Sequence, residues 1–343
     1  MRKNRITTFD GLRGIAVLCV VLRHCFSMTP GVSSHFPGEL FRYGWLGVDL
    51  FFIISGFVIS FTLYKYNDIK NFAIARFARL YPAYWCSIIF SAALVLIVHD
   101  HINVSQYLVN FLMFQDWLHF KDVCGVYWTL AFELAFYVIA ATIFYFGYFS
   151  QHRFFMLWMS MAIGWQLSYF LGVSHTHSVM SKLGYIFVLP YAQLFIFGIY
   201  LYKAFSGGWS KSTVFILAVA AISYVILAPD RETLSLVMFK LFISAIFLLA
   251  IYATYFPQDK YLSSRGLVFL GKISYSWYLT HLMIAEFVVG AFPNFIWAAP
   301  YTSLVISFLV AIAFNQYIEN PTHNFVMKGA LASNAANEAS ATI

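Results

Sequence analysis

RGIAVLCVVLRH, residues 13–24, is apolar enough to run inside a membrane, yet an arginine opens it and an Arg-His pair closes it. A charge at the centre of a membrane helix costs about 2.5–3.5 kcal/mol on insertion scales, so such residues are candidates for function. On a regular α-helix, the step from Arg13 to His24 leaves the two about 20° apart around the axis and about 16 Å apart along it. They would share one stripe, with Arg13 near the cytoplasmic edge and His24 just beyond the midplane. Arg23 would point elsewhere. Two readings stand at this point. Arg13 could snorkel to lipid phosphate while His24 bonds a neighbouring helix, or the two could belong to one site.

The rest of the chain has the same character. Its 343 residues are 61% hydrophobic and only 10% charged, with a mean hydropathy of +0.74, whereas a soluble domain carries about 25% charged residues. No water-soluble fold of this size hides so much apolar surface, so the chain is a polytopic membrane protein. Lipid offers no hydrogen bonds to the backbone, which leaves helices or a closed barrel. The runs are unbroken rather than alternating, which selects an all-α fold over a barrel.

About ten transmembrane helices are predicted, at 12–28, 45–64, 82–98, 126–147, 154–171, 184–203, 213–228, 236–255, 267–289 and 297–318, with Pro82 marking the entry to the third. With a cytoplasmic N-terminus, 14 of the Lys and Arg residues fall in inner segments. Only Arg42, Lys121, Lys182 and Arg231 fall outside. That bias predicts both termini in the cytoplasm. It also accounts for the net charge of +7 without nucleic acid. The first helix is read as a retained span, since no small-x-small cleavage site follows it. Residues 1–321 are expected to form one membrane-embedded domain and 322–343 a small, polar, disordered cytoplasmic tail. Cys19, Cys25, Cys86 and Cys124 show no paired spacing and read as core residues, not as a disulfide or zinc framework. No metal is expected.

Further polar residues sit where lipid makes them costly. Asp49 opens the second span in GWLGVDLFFIISGF, a favourable place for a carboxylate at a helix start. Glu133 in VYWTLAFELAFY lies about two turns in, too deep for a helix-end effect. His281 closes LGKISYSWYLTH, about 20 Å above the inner face at 1.5 Å per residue. His24, Asp49, Glu133 and His281 thus converge on similar depths, which suggests a polar chamber open to the outer side. Depth alone does not say which helices are neighbours. On the inner side, Arg76 and Arg79 in NFAIARFARLYPAYW are three apart and share a helix face. They are either positive-inside anchors or a phosphate cradle, since guanidinium forks match phosphate oxygens. Arg13 sits at the same level. Glu319 in YIENP is expected to pair with the inner arginines, a structural role. HDH at 99–101 and HTH at 175–177 read as loop histidines.

Six motifs in order resemble the acyltransferase-3 family of membrane acyltransferases. They are FDGLRGIAVLCVVLRH (9–24), GWLGVDLFFIISGFVIS (44–60), the Arg76/Arg79 pair with Pro82, WTLAFELAFY (128–137), LGKISYSWYLTH (270–281) and YIENP (317–321). The resemblance implies ten membrane helices and transfer of an acyl group, often acetyl, from cytoplasmic acyl-CoA to hydroxyls of extracytoplasmic glycans. It implies His24 as the essential histidine, Arg13 as its partner, Arg76 and Arg79 near the donor, and Asp49 and Glu133 in the polar set. His281 and Trp128 are expected on the substrate side. Two departures stand out. The fourth motif often reads Glu-Glu-Gln where this chain has Glu-Leu-Ala at 133–135, and many members carry a C-terminal hydrolase-like domain that is not seen in this sequence. A separate periplasmic acyl acceptor protein is therefore a further partner to expect.

These readings combine into one expectation. Arginines hold the phosphates of acetyl-CoA or another acyl-CoA at the cytoplasmic face of a bacterial inner membrane. His24 acts as general base on an acceptor hydroxyl, with Asp49 or Glu133 tuning it. The leading acceptor, from family habit, is O-antigen of lipopolysaccharide or another surface polysaccharide. The rival is a transporter of glycan or a proton-coupled solute, in which the same polar residues relay protons without chemistry.

Overall fold

The computed structural model describes residues 6–27, 29, 32, 38, 41–98, 101–173, 179–227, 236–292, 294 and 296–329, and among these it is helical with no strand. In chain order the α-helices are α1 (Thr7–Leu22), α2 (Leu46–Tyr66), α3 (Ile69–Val98), α4 (Val104–Asn110), α5 (Trp128–Tyr145), α6 (His152–Phe170), α7 (Val179–Ile186), α8 (Ala192–Gly207), α9 (Lys211–Leu227), α10 (Leu236–Tyr255), α11 (Arg265–Ala291) and α12 (Ala299–Phe314). A π turn, Arg23–Ser27, follows α1, and a second, Asn315–Glu319, follows α12.

Five helical stretches are long and apolar enough to cross a membrane: Arg42–Tyr66, Ile69–Val98, Trp128–Tyr145, Met238–Tyr255 and Ala299–Gly329. They match the spans expected at 45–64, 82–98, 126–147, 236–255 and 297–318. Several other expected spans correspond to shorter helices. α1 keeps regular geometry for 16 residues before the π turn. The stretch 184–203 is broken, because Val188 takes a positive φ of 55° ahead of Pro190 and only α8 continues. α9 is apolar but has 17 residues. α3 starts well before the expected entry, so Pro82 lies in its interior and Arg76 and Arg79 ride on the same helix as the span. At the other end, helix continues through residue 329. The rest of the expected tail, the HTH histidines and all of HDH but His101 lie outside the described residues.

The chain divides into two units. One comprises Met1–Arg23, Phe41–Thr62 and Trp128–Lys272. Its centre is α8, whose buried residues cover every side of the helix, as expected of a helix that is apolar all round. α2 meets it at glycines. A Cβ on Gly56 would run into the carbonyl of Phe195, and one on Gly198 would lie 2.9 Å from the Cα of Gly56. Only hydrogen fits there, which lets the backbones approach as small residues do in membrane packing. Around the crossing, Phe195 packs on Phe52 at 4.8 Å and on Phe136 at 4.2 Å between ring centroids. α6 joins through a buried amide pair, in which Gln193 Nε2 donates to Gln166 Oε1 at 2.7 Å and Gln166 Nε2 donates to the Pro190 carbonyl at 3.0 Å.

The second unit comprises His24–Leu40, Leu63–Tyr127 and Ile273–Ile343. Here the SYSWYLTH segment of α11 is the hub, and each aromatic residue ties a different neighbour. Tyr275 donates to the Leu80 carbonyl of α3 at 2.8 Å, Trp277 to Ser307 Oγ of α12 at 3.1 Å, and Tyr278 to the Val126 carbonyl at 3.0 Å. The segment reads as polar and aromatic because its side chains bond other helices, not because it faces water. Away from these contacts, α3 and α12 leave Ile97, Val305 and Leu309 more than half exposed. Such apolar surface is suited to lipid.

Candidate active site

In the second unit, the π turn after α1 carries His24. Regular helix ends at Leu22, so the even spacing that would place Arg13 and His24 on one stripe stops short of the histidine. π turns occur mostly as single widened turns and often at functional positions. The turn is anchored just beyond His24. Phe26 meets the edge of Tyr301 at 5.1 Å, Thr29 Oγ1 donates to the Cys25 carbonyl at 2.5 Å, and Ser27 Oγ donates to the Gly38 carbonyl.

Half-buried His24 faces His281, which lies on α11 and is 0% exposed. His24 Nδ1 lies 2.8 Å from His281 Nε2, with the rings 4.9 Å apart and tilted by 41°. The far nitrogen of His281, Nδ1, lies 3.0 Å from the Trp277 carbonyl oxygen and 2.9 Å from that of Tyr278. Two histidines distant in sequence are therefore brought into hydrogen-bond contact. Neither charge pattern nor spacing in the sequence could announce that.

The same unit holds Arg76 and Arg79. Arg79 forms an ion pair with Glu319, and its guanidinium stands 5.5 Å from the centre of the Tyr275 ring. Glu319 is 2% exposed and is bonded further: its Oε2 accepts from Ser276 Oγ at 2.6 Å and from Asn315 Nδ2 at 3.0 Å. Its expected pairing with an inner arginine is thus found for Arg79. Arg76 lies over the Phe72 ring at 5.9 Å. His323, one turn beyond Glu319, is within electrostatic range of both arginines. Ser276 and Asn315 were not singled out in the sequence. Only the carboxylate's need for partners would have pointed to them.

Arg13, Asp49, Trp128 and Glu133 belong to the first unit. Arg13 and Asp10 line a cavity of about 170 Å³ with Phe9, Phe57 and Phe61. Asp49 lies in the first turn of α2, as expected, and is fully buried. Glu133 Oε1 accepts from Tyr137 at 2.5 Å and from Ser55 at 3.1 Å. Tyr137 is one turn from Glu133, a partner that i,i+4 spacing could have revealed. Trp128 begins α5 and packs against Phe132 at 5.9 Å and Tyr191 at 5.8 Å.

Among the described residues, all helical, one unit holds both an imidazole pair able to pass a proton and helix-borne arginines able to bind an anion. The chain belongs to the acyltransferase family whose domain model (Acyl_transf_3, acyltransferase domain) matches residues 6–317. Its relatives include ORF330 of Acidianus two-tailed virus, named as an acetyltransferase, at 29% identity over 84% of this chain and 87% of that protein. SACOL0978 of Staphylococcus aureus strain COL, named as an O-acetyltransferase, is 26% identical over 92% of this chain and 57% of its own length. The peptidoglycan O-acetyltransferase OatA of Listeria monocytogenes is 29% identical over 39% of this chain and 23% of its own. The chain thus spans well under two thirds of the latter two relatives. No solved structure matches it.

Proposed function

We propose that this protein is an O-acyltransferase that carries an acyl group, acetyl first among them, from cytoplasmic acyl-CoA to a hydroxyl of an extracytoplasmic glycan. The observation that carries the reading is His24, set on a widened turn against a buried second histidine, in a chain that belongs to an acyltransferase family. The names of the relatives favour oxygen as the acceptor atom, and that of OatA favours a glycan. Surface polysaccharides such as O-antigen or exopolysaccharide are the leading acceptors.

In this reading ten helices cross a bacterial inner membrane, with both termini in the cytoplasm. The donor's phosphates rest on Arg76 and Arg79. The thioester reaches His24. Neutral His24 takes the proton of the acceptor hydroxyl as its oxygen attacks the thioester carbonyl carbon. The carbon–sulfur bond then breaks, and the leaving sulfur takes the proton from the imidazolium. The products are an ester and free CoA. Asp49, Glu133 and Trp128 stay in the candidate set through the family motifs that carry them. Enclosure keeps water from the thioester and holds both reactants together.

The test uses the full chain in lipid nanodiscs with radiolabelled acetyl-CoA and candidate glycans. Free CoA and labelled glycan appearing together support the proposal. Movement of unchanged solute in proteoliposomes, with no CoA released, would instead establish a transporter.

A further inference from the structure

We propose that His281 is a positioning residue that fixes the tautomer of His24, so that the base is His24 Nε2. The proposal rests on the reading of His24 as the proton acceptor and assigns the atom that does the work. His281 Nδ1 faces the carbonyl oxygens of Trp277 at 3.0 Å and Tyr278 at 2.9 Å. Carbonyl oxygens only accept, so this nitrogen carries the hydrogen. These carbonyls are three and four residues back on α11, so the helix's own backbone sets the ring's orientation. In a neutral imidazole the other nitrogen then offers a lone pair. That nitrogen is His281 Nε2, and it lies 2.8 Å from His24 Nδ1. Two lone pairs cannot share that contact. His24 Nδ1 must donate, which leaves the basic lone pair of His24 on Nε2.

The arrangement parallels the triads in which a buried acceptor holds a catalytic histidine in one tautomer through Nδ1–H. Here a neutral imidazole stands where a carboxylate usually does, oriented in turn by backbone carbonyls. When His24 Nε2 takes the hydroxyl proton, the Nδ1–H bond to His281 is retained and strengthened by the new charge. No proton moves to His281. The ring of His24 is held before the reaction and need not turn during it. The π turn contributes the placement, since it carries His24 where it meets α11.

The experiment uses full-length protein in nanodiscs, labelled with ¹⁵N-histidine, with the His24 signal assigned by its loss in His24→Asn. The expected spectrum has His24 protonated at Nδ1 and unprotonated at Nε2. His281→Leu removes the acceptor, and His24 is expected to shift toward the Nε2–H form. The kcat should then fall about 10²-fold or more while KM for acyl-CoA changes by less than about threefold. His281→Gln returns an acceptor oxygen near the position of Nε2 and should restore part of the rate. An Nε2–H signal for His24 in the unmodified protein, or an unchanged kcat in His281→Leu, would overturn the assignment. The wild-type spectrum decides even where His281→Leu does not fold. It also separates the two ideas. Absence of CoA release by the wild-type protein defeats the acyl-transfer reading, while the tautomer is decided by the spectrum alone.

Discussion

Glu319 makes clear what a single buried carboxylate can organise. Its two oxygens hold Arg79, Ser276 and Asn315, which belong to α3, α11 and the turn after α12. Removing one partner of such a group leaves the others desolvated and unpaired, at a cost of about 3–5 kcal/mol for a fully buried pair. Arg79 is 26% exposed, so the lower end applies. Glu319→Ala should lower the apparent melting temperature in detergent and raise KM for acyl-CoA more than it lowers kcat. A variant with unchanged donor affinity would detach Glu319 from the donor site. His24→Ala should abolish transfer, with the protein still eluting as a monodisperse peak on gel filtration. Full activity in that variant would end the proposed mechanism. At this scale the sequence was informative wherever a residue was costly. His24, Glu133, His281 and Glu319 all stood out as charges or imidazoles in apolar surroundings, and each has polar partners. Their partners were less legible, because Ser276 and Ser55 cost little on their own and mark nothing until a neighbour is known. The Gln166–Gln193 pair was missed for the same reason.

At the scale of elements, the regular apolar helices could be read from composition, since lipid and packing both demand continuous runs. The irregular ones could not. Both π turns depart from the 3.6-residue period on which any sequence pattern is laid out, and Pro82 reads as a helix start although α3 carries it inside. The α2–α8 crossing gives a test of packing. Gly56→Val would drive a side chain into the Phe195 carbonyl, and the strain of overpacking is about 1–3 kcal/mol or more. A lower yield of folded protein on fluorescence-detected gel filtration is expected, with no such loss for Gly207→Ala, where a Cβ meets nothing within 4 Å. The connection between α3 and α5 gives a second test. Asp122 accepts a hydrogen bond from Gln115 Nε2, and burial pushes its carboxyl up to about 6 despite that bond, with Asp116 adding to the rise. A carboxyl raised above its unfolded value, about 3.9, stabilises most fully below that value and loses its contribution as pH rises through the folded one. Amide-exchange protection over Val104–Val123, taken relative to the intrinsic exchange rate at each pH, should therefore fall between about pH 4 and about pH 6. Asp122→Asn should flatten that response, and a profile identical to wild type would contradict it.

For the molecule as a whole, composition settled the solvent before any helix was placed. The exposed Ile97, Val305 and Leu309 fit that solvent. Orientation depended on the Lys and Arg count. It predicts that a cysteine introduced at Ser264, next to the inner Arg265, reacts with a membrane-impermeant maleimide only in permeabilised cells. One placed at His101 should react in intact spheroplasts. The opposite pattern would invert the topology and with it the proposed donor side. How the chain sets a histidine beside α11 has one more consequence. A widened turn holds one residue more than an ordinary one, so a strand of chain with one bead fewer could close into plain helix. Deleting Cys25 should leave the protein inserted in the membrane yet change the direction in which the imidazole points. The lesion would be an enzyme of normal abundance that is silent because its sequence had become more regular.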